Sequence, residues 1–156
     1  MIIFKEIFQK ETIAQVTSFL LDLIEISSDI PDIIIYDDAC HLAKYVTNKS
    51  SNLFKNNSKR ADVLSKKRFF CDRFHFIKHK DDWCQKNCNP DDIPELENIN
   101  TVVCEETNKW FGGFKYALKH MNYGRFHLML YILSDEYNKF KLVNNRYEKE
   151  KSLNKC

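Results

Sequence analysis

Four residues in the middle of this sequence have the types and spacing of a metal site: His75, His79, Cys84 and Cys88. They form the pattern His-x3-His-x4-Cys-x3-Cys, and imidazole nitrogens with thiolates are the donor set that holds zinc tetrahedrally. The spacing is looser than the paired Cys-x2-Cys of common zinc fingers. A buried structural cysteine and a core histidine with a satisfied hydrogen bond therefore stay open for the same residues. Two carboxylates make a second candidate, Asp37 and Glu105. Hard cations such as Mg²⁺ or Mn²⁺ need oxygen ligands from separate elements, and two such ions about 4 Å apart can flank a phosphodiester during displacement at phosphorus. Each carboxylate also has a plainer role. Asp37 or Asp38 can cap the helix that follows, and Glu105, with Glu106, can complement a helix dipole.

These residues depend on the elements around them. Ile33-Ile34-Ile35-Tyr36 is a β-branched apolar run that predicts a short, fully buried strand. Asp37 follows it, at the carboxyl end where open α/β sheets place ligands. Apolar residues from Phe4 to Ile24 recur at three- and four-residue steps, which predicts a helix over 4–26, closed by Ser27, Ser28 and Pro31. A second helix is expected from Ala39 to about Lys49. Residues 48–67 are polar and read as a loop, and Arg68-Phe69-Phe70-Cys71 as another short strand. The 80–99 segment, with Pro90 and Pro94, reads as an irregular insertion. Helical patterning returns from Thr101 to Leu118, interrupted by Gly112-Gly113, and again from Gly124 to Lys141. The expected organisation is one domain over 1–141, with an insertion at about 48–99, and a polar, fraying tail over 142–156.

Composition narrows the function classes. The chain has 156 residues, which suits one domain. Its 44% hydrophobic and 13% aromatic content favours a packed core over disorder. With 24 basic and 22 acidic residues the net charge is only +2, without the basic excess of a dedicated nucleic-acid module. A local cluster, Lys59, Arg60, Lys66, Lys67 and Arg68, remains as a candidate basic patch or simply a solvated face. No apolar run approaches the roughly 18 residues of a membrane span. The first residues lack the basic flank, apolar run and cleavage site of a signal peptide. An intracellular chain with its 6 cysteines reduced is the expectation.

The ordered blocks are more specific than any single motif. Tyr36-Asp37-Asp38-Ala39-Cys40-His41-Leu42 is followed by Cys71-Asp72-Arg73-Phe74-His75, then His79, Cys84 and Asn89-Pro90. Next come Asn100-Thr101-x-x-Cys104-Glu105-Glu106-Thr107-Asn108, the pair Trp110-Phe111, and Met121-Asn122. Over about residues 31–138 this series resembles the Kyakuja–Dileera–Zisupton family of eukaryotic DNA transposases.

The resemblance implies an α/β, mostly helical chain: a partial RNase H-like fold with a remnant sheet of one or two short strands packed against long helices. It also implies a three-carboxylate Asp-Asp-Glu site for Mg²⁺ or Mn²⁺, with Asp37 matching the second carboxylate and Glu105 the third. Asp72 and His75 match positions close to the metals or structural. The family usually has Gln after the Glu, where this sequence has Glu106. The first family Asp lies well upstream on a strand of its own. Asp22, Asp29 and Asp32 do not follow one here, so the chain offers two carboxylates of three. The expectation is a transposase-derived, nuclear, DNA-associated chain that is inactive alone, with self-association or a second chain supplying the missing strands. The alternative is a non-catalytic, zinc-stabilised binding or scaffold module held by His75, His79, Cys84 and Cys88. An inert gene fragment is the blandest reading.

Overall fold

A computed structural model describes residues 10–27, 30–48 and 58–153, the side chains of 58 and 145–153 excepted. The chain is α/β and mostly helical, and it divides into two compact units. One unit is Glu6–Cys104, and the described part of the other begins at Glu105.

The first unit is built on a parallel pair of short strands, β1 (Ile33–Ile35) and β2 (Arg68–Phe70), paired Ile33 to Arg68, Ile34 to Phe69 and Ile35 to Phe70. Parallel strands need a helical crossover. Here α2 (Ala39–Thr47) and α3 (Ser58–Ser65) lie between them, with α1 (Ile13–Ile26) before β1. The ladder is continued at both ends, by Arg68 N–H to Asp32 O at 2.8 Å and Tyr36 N–H to Phe70 O at 3.0 Å. β1 is half-buried rather than fully buried as its all-apolar sequence predicts. Among the described residues the sheet has two strands, so little of it is covered by neighbouring strands.

The apolar faces of α1, α2 and α3 close over this pair. Leu21, Leu42, Val46, Ala61, Leu64 and Phe69 are buried together, with Ile13, Val16, Leu20 and Ile24 packed against them. α1 starts later than its periodicity predicts. Thr12 and Gln15 form a reciprocal capping box that fixes the first turn at Ile13, and Lys10 to Thr12 are not helical. The expected helical residues 4–9 lie outside the described residues. α3 occupies part of the expected 48–67 loop because Ala61 and Leu64, three apart, drop into the core.

Beyond β2 the chain makes two short helices, α4 (Arg73–Phe76) and α5 (Asp82–Asn87), and two 3-10 turns, Pro90–Asp92 and Pro94–Leu96. The expected irregular insertion is thus locally ordered. Arg73 is the reason: its guanidinium donates to Asp91 Oδ1 at 2.6 Å, Ile99 O at 2.8 Å and Leu96 O at 2.7 Å. Its backbone N–H donates to Thr101 Oγ1 at 3.1 Å.

In the second unit, α6 (Val103–Gly112) leads to α7 (Lys115–Lys119) and a long α8 (Tyr123–Leu153). The break falls at Gly113, as the Gly112-Gly113 pair predicts, and the chain leaves α6 through i to i−3 bonds from Gly113 and Phe114. Trp110 packs at a tilt against Phe114 and Tyr137, with ring centroids 4.8 Å and 4.9 Å apart. α8 continues to Leu153, well past Lys141, through a segment whose polarity predicts fraying. No helix among the described residues is long and apolar enough to cross a membrane.

Candidate metal centre

The sulfur and imidazole donors of the first unit gather beyond the carboxyl ends of β1 and β2. Cys40 is the second residue of α2, which opens just after β1, and it is buried. His79 lies in the link between α4 and α5, and Cys84 in the first turn of α5. The ligand atoms of Cys40, His79 and Cys84 all lie within 4.8 Å of one another. His79 Nδ1 is 3.5 Å from Cys40 Sγ and 3.3 Å from Cys84 Sγ. Around a tetrahedral zinc, with bonds of about 2.3 Å to sulfur and 2.0 Å to nitrogen, the sulfur–nitrogen edge is about 3.5 Å. The three donors are spaced for one such ion.

Two further thiols adjoin this group. Cys88, one turn after Cys84, is buried, and its backbone N–H donates to Cys84 O at 2.9 Å. Cys71, just after β2, has its sulfur 3.8 Å from Cys84 Sγ, and its N–H donates to Cys88 O at 3.0 Å. Burial, above other causes, pushes the thiols of Cys40 and Cys88 up to about 12 and that of Cys71 to about 11. Cys84 is shifted upward for the same reason. Cys40, Cys71, Cys84 and Cys88 are not joined in disulfides.

The scaffold that aims these donors is local and polar. Asp81 caps α5 by accepting from Cys84 N–H at 2.9 Å, and pairs with Lys44 of α2 at 3.3 Å. The Cys84 N–H and then the Lys44 ammonium hold the Asp81 carboxyl below its usual range. Lys44 also lies over the Trp83 ring, 4.8 Å from its centroid, so one side chain ties α2 to α5. The Gln85 side-chain amide donates to the carbonyl of His79, fixing the link that carries the imidazole.

Of the sequence-predicted sulfur and nitrogen ligands, His79 and Cys84 are in the central group and Cys88 stands against it. His75 is placed otherwise. Asp72 caps α4, accepts from His75 N–H at 3.0 Å, and takes His75 Nδ1 at 2.7 Å. Cys40 joins the group instead, a residue that ligand spacing around His75 does not suggest. It enters from the first turn of α2, a few residues after β1, through the parallel pairing of β1 with β2.

The carboxylates are also placed. Asp37 follows β1, is exposed, and its Oδ1 accepts from Asp38 N–H at 2.8 Å. Asp38 holds the N-cap position of α2 but makes no capping bond with its side chain. Glu105 lies in the first turn of α6, and Asp37 and Glu105 belong to different units. Glu106 pairs with Lys141 of α8 at 3.2 Å, which offsets its charge. The basic cluster is largely matched by carboxylates: Arg60 pairs with Glu25, Lys67 with Asp32, and Arg68 with Glu95. Comparison of the chain with known protein families, curated proteins and solved structures gave no match.

Proposed function

We propose that the Glu6–Cys104 unit is a zinc-held module, with Cys40, His79 and Cys84 as ligands and Cys88 as the fourth. The observation that carries this is the convergence of Cys40, from the strand end of β1, on His79 and Cys84 from a segment nearly forty residues later. Buried thiols without a metal are small apolar groups, but two sulfurs spaced around one imidazole nitrogen suit a soft, closed site. A structural zinc here clamps the crossover helix α2 to the α4–α5 segment, which has few large buried side chains of its own. The test is metal content and metal-dependent folding. The purified chain is expected to carry tightly held zinc, and Cys84→Ser to lose both the zinc and the cooperative thermal transition. A metal-free chain that melts as the zinc-loaded one does would overturn the proposal.

A second reading concerns ancestry. The motif series resembles a transposase catalytic domain, and the parallel β1–α2–α3–β2 unit with Asp37 beyond β1 is compatible with part of an RNase H-like sheet. On this reading Asp37 and Glu105 are the second and third carboxylates of a DNA-cleaving site for Mg²⁺ or Mn²⁺. Two carboxylates by themselves hold such ions weakly, so Asp37 and Glu105 alone are expected neither to nick nor to join DNA. Mn²⁺-dependent nicking that both Asp37→Asn and Glu105→Gln abolish would show the opposite. DNA binding, a nuclear location and self-association belong to the same proposal.

A further inference from the structure

We infer that Asp38, Cys40 and His41 form a second metal site, in which the Cys40 sulfur bridges the ion held by His79 and Cys84 to a second, solvent-facing ion. The inference rests on the zinc-module reading and extends it. The three donors lie in the first turn of α2, with their ligand atoms all within 4.8 Å of one another. Cys40 Sγ is 3.8 Å from Asp38 Oδ1 and 3.7 Å from His41 Nδ1. Those separations are near the roughly 3.6 Å edges expected around a tetrahedral zinc with sulfur, nitrogen and oxygen ligands.

Two features favour this over an ordinary pair of charges at a helix start. Asp38 holds the N-cap position without a side-chain capping bond, its carboxylate turned instead to His41 Nδ1 at 2.5 Å, a pair that must open to about 3.3 Å to hold one ion. The Cys40 sulfur is common to this triad and to the closed group, and a thiolate has lone pairs enough for two ions. Binding at His41 Nδ1 requires the imidazole with its proton on Nε2, so the ion takes the place of the His41–Asp38 hydrogen bond. The mixed sulfur, nitrogen and oxygen set suits zinc better than Mg²⁺. With His41 and Asp38 side chains 66% and 39% exposed, the fourth position is left to water.

The experiment is metal counting on the full chain, loaded with excess zinc and desalted, for wild type, His41→Ala and Asp38→Asn. Two zinc ions are expected per wild-type chain and one in each variant, with the helical signal unchanged because both side chains lie outside the core. One ion in the wild type, or two retained in both variants, would refute the second site and leave the zinc module standing. No ion in the wild type would defeat both. Cadmium-113 substitution tests the shared sulfur: two resonances coupled to each other are expected, and two uncoupled ones would exclude the bridge.

Discussion

The imidazole of His79 touches two sulfurs whose protons are held tightly as long as no metal is present. Burial pushes the Cys40 thiol up to about 12 and shifts that of Cys84 upward as well, so near neutral pH both stay protonated in the metal-free fold. Zinc binds thiolate, and each coordinated cysteine must release a proton. The metal-bound state therefore holds fewer protons than the metal-free one, and lowering pH favours the latter. Apparent zinc affinity is expected to fall steeply from about pH 8 to about pH 6, with more than one proton released per ion. Calorimetric titration in two buffers of different ionisation enthalpy measures that release, and an affinity independent of pH would contradict it. At this scale the site was half legible in the sequence. His79, Cys84 and Cys88 share one short segment, where spacing alone speaks. Cys40 comes close only through the parallel pairing of β1 with β2, which no local pattern encodes. His75 has a ligand's chemistry, but an aspartate three residues earlier, at a helix cap, takes its Nδ1.

Elements beyond the centre show where sequence patterns fail and what replaces them. Short apolar runs located both strands, and periodicity located α1, whose apolar face is continuous. It missed α3, whose inward face amounts to Ala61 and Leu64 among polar residues. The 80–99 segment looked irregular because its order comes from one side chain rather than an apolar stripe. Arg73 holds the carbonyls of Leu96 and Ile99 and the carboxylate of Asp91. Replacing it with methionine removes the donors while keeping much of the bulk. The partly buried Leu96 carbonyl left without a partner costs about 1–3 kcal/mol, while the exposed Ile99 carbonyl can turn to water. Urea denaturation of Arg73→Met is expected to show a loss of about 1–3 kcal/mol, set by the stranded Leu96 carbonyl. Faster hydrogen exchange is expected at Leu96 and Ile99, whose turn Arg73 secures. By contrast, Leu42→Ala opens a cavity beneath α2, where the side chain is fully buried. It should cost about 2–5 kcal/mol and weaken the zinc site only through global unfolding. A Leu42→Ala chain as stable as wild type would show that α2 does not carry the core.

The whole molecule has two compact units, and their cores differ in kind. Aliphatic side chains and thiols, with Phe69, fill most of the first. The second joins α6 to α8 through Trp110, Phe114 and Tyr137, supported by the Thr107 hydroxyl donating to Tyr137 and by the Glu106–Lys141 pair. The boundary at Cys104–Glu105 was not legible because the helical pattern of α6 runs straight through it. If a metal holds only the first unit, its removal should be felt there and not in the aromatic cluster. The chain carries one reporter in each place, since its 2 tryptophans are Trp83 in α5 and Trp110 in α6. A Trp110→Phe chain leaves Trp83, whose ring lies under Lys44 beside the ligand Cys84. A Trp83→Phe chain leaves Trp110 among its aromatic neighbours. On chelation of zinc, the Trp110→Phe chain should show red-shifted emission as the α2–α5 clamp opens. The Trp83→Phe chain should keep its emission maximum until much higher denaturant. A shift of equal size at the same chelator concentration in both would mean that the units unfold together and that zinc stabilises the chain as one cooperative body.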